Sequence, residues 1–211
     1  MPLSTLALDF DGVLVDSQPI HAAAWRHVLD KRQIAVRDLD SAILGRSATE
    51  FATSLGLARS EACELANAKE RAVRHMALTA LPPLCPNVAE TMPLLAREFL
   101  LVVVTSADSE FVADILRGHD LAHMFRDIFT GQKTRAGPSP YSVCLSRLKV
   151  EPDSVVAVED SVTGIASARA AGLRVVAVTH TTPRTQLSDA DVVIDNFGKL
   201  PEVLSSLGVA A

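Results

Sequence analysis

Two aspartates one residue apart, Asp9 and Asp11, close the apolar run Leu6-Ala7-Leu8 and stand just before Gly12. Residues at i and i+2 of an extended segment face the same way, so the two carboxylates converge on one metal ion or one phosphorus atom. Gly12 lets the backbone turn sharply beyond them. Like charges this close repel unless a cation lies between them or one carboxyl keeps its proton, and both arrangements serve catalysis. Two more polar sets follow apolar runs in the same manner. Thr105-Ser106 follow Val102-Val103-Val104, and Glu159-Asp160-Ser161 follow Val155-Val156-Ala157-Val158. In parallel strands these ends share one edge of the sheet, where carboxylate, hydroxyl and paired carboxylate meet. Oxygen donors without His or Cys favour a hard cation, Mg²⁺ rather than zinc. Mg²⁺ there would hold the acids ionised and neutralise a bound phosphoryl group, to which Thr105 offers a hydroxyl.

The elements that must position these groups are short apolar strands alternating with helical patterns, the signature of an α/β fold with parallel strands and crossover helices. Strands are expected at 5–10, 100–104, 155–158, 174–178 and 191–194, each apolar on both faces as in a sheet covered by helices on both sides. Helical spacing marks 109–117, 140–148 and 162–171, the last stopping at Gly172. The stretch from Asp16 to Leu81 breaks the alternation. It holds Ala-, Glu- and Arg-rich amphipathic segments, with helices expected at 19–31, 37–42, 47–55 and 60–78, and Pro82-Pro83 and Pro86 mark the return to the sheet. The expected organisation is a catalytic core of 1–15 and 83–211 and an all-helical cap of 16–82 inserted after the first strand. The carboxyl end of that strand is where an open α/β sheet keeps its ligand, so the insert is expected to act as a lid.

Bulk properties exclude other classes. The chain has 211 residues, 48% of them hydrophobic, and a net charge of −5 with dispersed basic residues, which gives a nucleic-acid partner no electrostatic support. No apolar run approaches the roughly 18 residues of a membrane helix, and no basic segment precedes the first acid, so a cytoplasmic protein without a membrane partner is expected. Cys63, Cys85 and Cys144 are odd in number and widely spaced, which suits neither a disulfide framework nor a zinc site. His119 and His123 stand four apart with no acid in register and read as surface residues.

The block Leu8-Asp9-Phe10-Asp11-Gly12-Val13-Leu14-Val15-Asp16-Ser17, the Thr105-Ser106 pair, and Glu159-Asp160-Ser161-Val162-Thr163-Gly164-Ile165 leading to Ala170-Ala171-Gly172 resemble the haloacid dehalogenase superfamily. The similar subgroup is the β-phosphoglucomutase and sugar-phosphate phosphatase branch. That resemblance implies a Rossmann-like core, a helical cap, Mg²⁺ dependence and a phosphoaspartyl intermediate. It makes Asp9 the nucleophile and Asp11 the general acid and base. It assigns the metal to Asp9, Asp160, the Asp11 backbone carbonyl and Glu159. An acid at position 11 speaks against a dehalogenase, because halide leaves without a proton. The superfamily also carries a basic phosphate clamp between Thr105 and the acidic pair. Arg135 stands at the lysine position, with Ala136 in place of the following proline and Pro138, Pro140 and Tyr141 keeping register. Lys133 is the alternative if the loop is shifted. In the insert, Asp16, His21 and Trp25 match the pattern past the nucleophile loop, with His21 a candidate for the leaving group and Trp25 for the cap core. Gly45-Arg46-Ser47 resembles the loop that reads the non-reacting half of the substrate, and Lys69 is a candidate for a substrate anion. Mutases of this branch carry an arginine after that serine, whereas here Ala48 follows Ser47. The implied activity is Mg²⁺-dependent hydrolysis of a small phosphorylated metabolite such as a sugar phosphate. The alternatives are a phosphomutase and a non-catalytic phosphate-binding protein of the same fold.

Overall fold

The computed structural model describes residues 4–43, 46–131 and 139–208. In chain order its strands and α-helices are β1 (Thr5–Leu8), α1 (Gln18–Lys31), α2 (Leu39–Ile43), α3 (Ala48–Ser54), α4 (Arg59–Thr79), α5 (Val88–Glu98), β2 (Leu100–Thr105), α6 (Ser109–Gly118), β3 (Phe125–Thr130), α7 (Pro140–Leu148), β4 (Val155–Glu159), α8 (Val162–Ala170), β5 (Arg174–Val178), β6 (Val192–Ile194) and α9 (Leu200–Ser206). The chain divides into two compact units, Met1–Asp16 with Pro83–Ala211, and Ser17–Pro82.

The first unit is a parallel six-stranded sheet in the order β3-β2-β1-β4-β5-β6, with helices between the strands, a Rossmann-like α/β architecture. The central strands β1 and β4 are buried along their whole length, which is why they read as unbroken apolar runs. The order reverses at β1: the chain moves outward through β2 and β3, then returns to place β4 on the other side of β1. Such a reversal opens a crevice at the carboxyl ends of the two central strands. Register puts Leu8 beside both Val103 and Val158, so the residues that follow β1, β2 and β4 emerge close together. The core on one face of the sheet joins Ala7, Val102, Val104 and Ala157 to Phe129, Tyr141 and Ile165.

Four elements depart from the sequence expectation. β1 stops at Leu8, so Asp9 and Asp11 stand on the loop that follows rather than on a continued strand. β3 was not expected: as an edge strand paired only with β2, it carries Arg126 and Asp127 exposed to solvent and lacks the two-sided apolarity of the central strands. α5 was not expected because Pro93 lies inside it and three prolines precede it, yet Val88, Thr91, Met92 and Leu95 make a buried helical face. α9 was likewise unassigned.

The second unit is helical, α1 to α4. Trp25 on α1 packs edge-on against Phe51 on α3 with ring centroids 4.6 Å apart, and Leu29, Leu65 and Ala66 close the core around them. Ser47 starts α3 with a capping box, its hydroxyl accepting from the Glu50 amide while Glu50 accepts from the Ser47 amide. Among the described residues, no helix is long and apolar enough to cross a membrane.

Candidate active site

The loop after β1 doubles back at once. The Gly12 amide donates to the Val15 carbonyl at 2.8 Å, the Leu14 and Val15 amides both donate to the Phe10 carbonyl, and Gly12 takes φ +75°, a conformation that favours glycine. Asp9 is tied to the neighbouring strand by its amide, which donates to the Val158 carbonyl at 3.0 Å. Carboxylate oxygens of Asp9, Glu159 and Asp160 thereby lie within 4.8 Å of one another. Asp11 stands outside that trio but close enough for its charge to raise the pKa of both Asp9 and Asp160.

Burial dominates the electrostatics. Loss of water, then the charges of Glu159, Asp160 and Asp11, hold the Asp9 carboxyl well above the usual range. Burial pushes Glu159 up to about 7, against the hydrogen bond from Tyr141 and with the Asp160 charge adding to the rise. Burial likewise takes Asp160 up to about 6, opposed by the Thr181 hydroxyl. Carboxylates that resist ionising together are stabilised by a divalent cation, and an all-oxygen donor set suits Mg²⁺ chemistry. The residues therefore fit such an ion. Cys85, buried and near Asp16, Asp160 and Asp11, is pushed up to about 12, so it stays a neutral thiol and is no nucleophile at neutral pH.

Two glycines let the acids sit where they do. A Cβ on Gly12 would stand 1.9 Å from Asp160 Oδ2, and one on Gly164, in the first turn of α8, 2.0 Å from Glu159 Oε2. Gly164→Ala is expected to push the Glu159 carboxylate aside and weaken Mg²⁺ binding by about tenfold or more, the scale of lost support around a metal ligand. Calorimetric titration of the metal-free variant checks this, and unchanged affinity would count against Glu159 as a ligand.

Thr105 is buried at the end of β2, and its hydroxyl oxygen accepts from the Ala107 amide at 3.1 Å, leaving its own proton to donate. Ser106 is exposed. Lys133 and Arg135, the candidates for the basic clamp, lie outside the described residues, as does Gly45. The chain on either side of the clamp segment comes together, since Gly131 lies directly against the Pro140 ring. In the helical unit, Lys69 is buried and its Nζ lies 2.5 Å from His21 Nδ1 and 3.1 Å from Glu70 Oε1. The structure thus joins two candidates that the sequence treated separately. Ser47 is engaged in its capping box, and the exposed Arg46 reaches Ser54 Oγ at 3.5 Å.

Three residues near the acids went unnoticed in the sequence as functional groups. The Tyr141 hydroxyl donates to Glu159 Oε1 at 2.7 Å. The Thr181 hydroxyl donates to Asp160 Oδ2. His180 Nε2 lies 3.6 Å from Asp16 Oδ1. The rule that drew attention to Thr105 also reaches His180 and Thr181, which follow β5 on the same edge; Tyr141 carries no comparable signal.

The family model of the haloacid dehalogenase-like hydrolases matches residues 6–178, most of the chain. The chain belongs to that family. This hydrolase is 31% identical over 181 residues to a fructose-1-phosphate phosphatase of Escherichia coli strain K12, a match covering 82% of this chain and 95% of that protein. It is 26% identical over 205 residues to a β-phosphoglucomutase of Bacillus subtilis strain 168, covering 91% and 89%. A haloacid dehalogenase-like hydrolase from Streptococcus pneumoniae shares the hydrolase's fold with a TM-score of 0.85 at 17% identity, covering 97% of this chain and 98% of that one.

Proposed function

We propose that this hydrolase is a Mg²⁺-dependent phosphatase that cleaves a small phosphomonoester, a sugar phosphate or related metabolite, through a phosphoaspartate on Asp9. The observation that carries the reading is the trio of carboxylates from two adjacent strand ends, gathered within 4.8 Å at the point where the strand order reverses. The named activities of its relatives in Escherichia coli and Bacillus subtilis, both with phosphorylated sugars, support the substrate class.

Asp9 attacks phosphorus in line with the ester oxygen, and Asp11 gives its proton to that oxygen as the bond breaks. The alcohol leaves, and Asp11, now ionised, takes a proton from a water that attacks the phosphoaspartate. Inorganic phosphate departs, Asp9 is regenerated, and Asp11 again holds a proton. Thr105 donates to an equatorial phosphoryl oxygen, and a basic side chain, Arg135 or Lys133, offsets the charge there. Asp9, Glu159, Asp160 and the Asp11 carbonyl would hold Mg²⁺, which would supply charge neutralisation for phosphate and nucleophile together. The helical unit is assigned the selecting role of a cap, with the half-buried His21 paired to the buried Lys69 as a polar group there.

A phosphate-release screen over sugar and organic phosphates tests the reading. Release in Mg²⁺ and none after chelation is the expected result; a protein inert to the whole panel, or equally active without a divalent cation, would contradict it. The resemblance to a β-phosphoglucomutase supports one second reading, transfer of the phosphoryl group to another hydroxyl of the sugar. Product analysis separates the two, since a mutase returns an isomeric sugar phosphate with little free phosphate.

A further inference from the structure

We infer that Tyr141 and Thr181 are positioning residues of the cation site, two hydroxyls from separate elements that hold Glu159 and Asp160 in the orientation a divalent cation requires. The inference rests on the metal-dependent reading above. Each acid of the pair at the end of β4, Glu159 and Asp160, meets a donor from another segment. Tyr141 stands at the start of α7, 2% exposed, in the same buried core as Val102, Phe129 and Ile165. That packing fixes where its hydroxyl points, and the hydroxyl meets Glu159 Oε1 at 2.7 Å. The other oxygen of Glu159 accepts from the Asp160 amide and the Ser161 hydroxyl, both at 3.3 Å, so the carboxylate is held at both ends.

Asp160 is braced from a different segment. Thr181, in the loop after β5, donates to Asp160 Oδ2, and its methyl carbon lies 2.8 Å from where a Cβ on Gly12 would stand. Thr181 thus stands against both the acid and the loop that carries Asp9 and Asp11. An ionised carboxylate offers about four lone-pair sites, so one hydroxyl bond leaves room for a cation on the same group. Removing the Tyr141 hydroxyl leaves Glu159 only its two longer bonds at 3.3 Å, and removing the Thr181 hydroxyl takes away the brace on Asp160 Oδ2, so the cation must order each loosened carboxylate on binding.

The test is magnesium titration by calorimetry into the chelator-stripped chain, comparing wild type with Tyr141→Phe, Thr181→Val and Thr181→Ser. Phenylalanine keeps the ring, valine keeps the methyl, and serine keeps only the hydroxyl. Tyr141→Phe and Thr181→Val are each expected to weaken Mg²⁺ binding about tenfold, while Thr181→Ser stays close to wild type. In turnover, the same two variants should need more Mg²⁺ for half-maximal rate and recover most of kcat at saturating metal. Should Tyr141→Phe fail to fold, the Thr181 pair decides. Wild-type affinity in both hydroxyl-deleted variants, or a lowered metal-free Tm with unmoved Mg²⁺ affinity, would overturn the inference and leave only a packing role. Those outcomes leave wild-type binding intact; a wild-type protein that takes up no Mg²⁺ would instead defeat the metal-dependent reading on which the inference stands.

Discussion

Asp9→Asn is expected to lower kcat for phosphate release by at least about 10⁴-fold, the scale seen when a covalent catalyst loses its nucleophile. The amide is nearly isosteric with the carboxylate but is neutral and far less nucleophilic, so the covalent intermediate cannot form. The same change is expected to raise the Tm of the metal-free protein. Asp9 shares its surroundings with Glu159, Asp160 and Asp11, and burial with their charges holds its carboxyl well above the usual range. Replacing it by a neutral group removes that repulsion, the trade between stability and activity expected at a site built for chemistry. Activity lost while stability is held or gained separates a missing nucleophile from a damaged fold. Steady-state kinetics and a melting curve in chelator check both halves, and a variant with ordinary turnover would rule Asp9 out.

The second large effect is on the coupling between pH and the cation. Glu159 rises from 4.5 to about 7 and Asp160 from 3.8 to about 6 in the folded chain without metal. Below both starting values these acids are protonated folded or unfolded and contribute no pH dependence. As pH climbs, the unfolded chain ionises first while the folded chain still holds the protons. The folded state then binds more protons than the unfolded one, and stability falls with rising pH until about 7, where the loss is complete. Mg²⁺ held by the ionised trio, as proposed, would reverse this loss. Its stabilisation should therefore be small at pH 5 and large at pH 8, following the ordinary dependence of ligand stabilisation on affinity. Melting curves with chelator and with saturating Mg²⁺ across that range check the prediction. An Mg²⁺ shift in Tm independent of pH would show that the cation binds elsewhere.

The sequence displayed the central sheet well because β1, β2, β4 and β5 are buried on both faces and so appear as unbroken apolar runs. β3 was hidden for the complementary reason: an edge strand needs only one covered face, and Arg126 and Asp127 on its exposed side erase the signal. α5 was masked by prolines, although its buried face, Val88, Met92 and Leu95, has helical spacing. The acids were legible because carboxylates at strand ends are chemically conspicuous. Their supports were not. Thr181 lies 21 residues from Asp160 and Tyr141 18 from Glu159, and a hydroxyl that braces an acid has no type or spacing of its own. Asp9 and Asp11 lie past the end of β1 at Leu8, on the loop that turns through Gly12. Asp11 is not one of the three clustered carboxylates, yet its charge reaches Asp9 and Asp160.

The covalent step is the claim on which the rest depends, and trapping it is the most direct measurement. Asp11→Asn protein, incubated with Mg²⁺ and an acyl phosphate, has a leaving group that needs no proton, so Asp9 can still be phosphorylated. It lacks the base that activates water, so the phosphoaspartate should accumulate. Rapid quenching and peptide mass spectrometry are expected to find one phosphoryl group on the peptide that carries Asp9, and none when Asp9→Asn is added to the same variant. A phosphoryl group on another residue, or wild-type turnover with no phosphorylated protein at any time, would contradict the account.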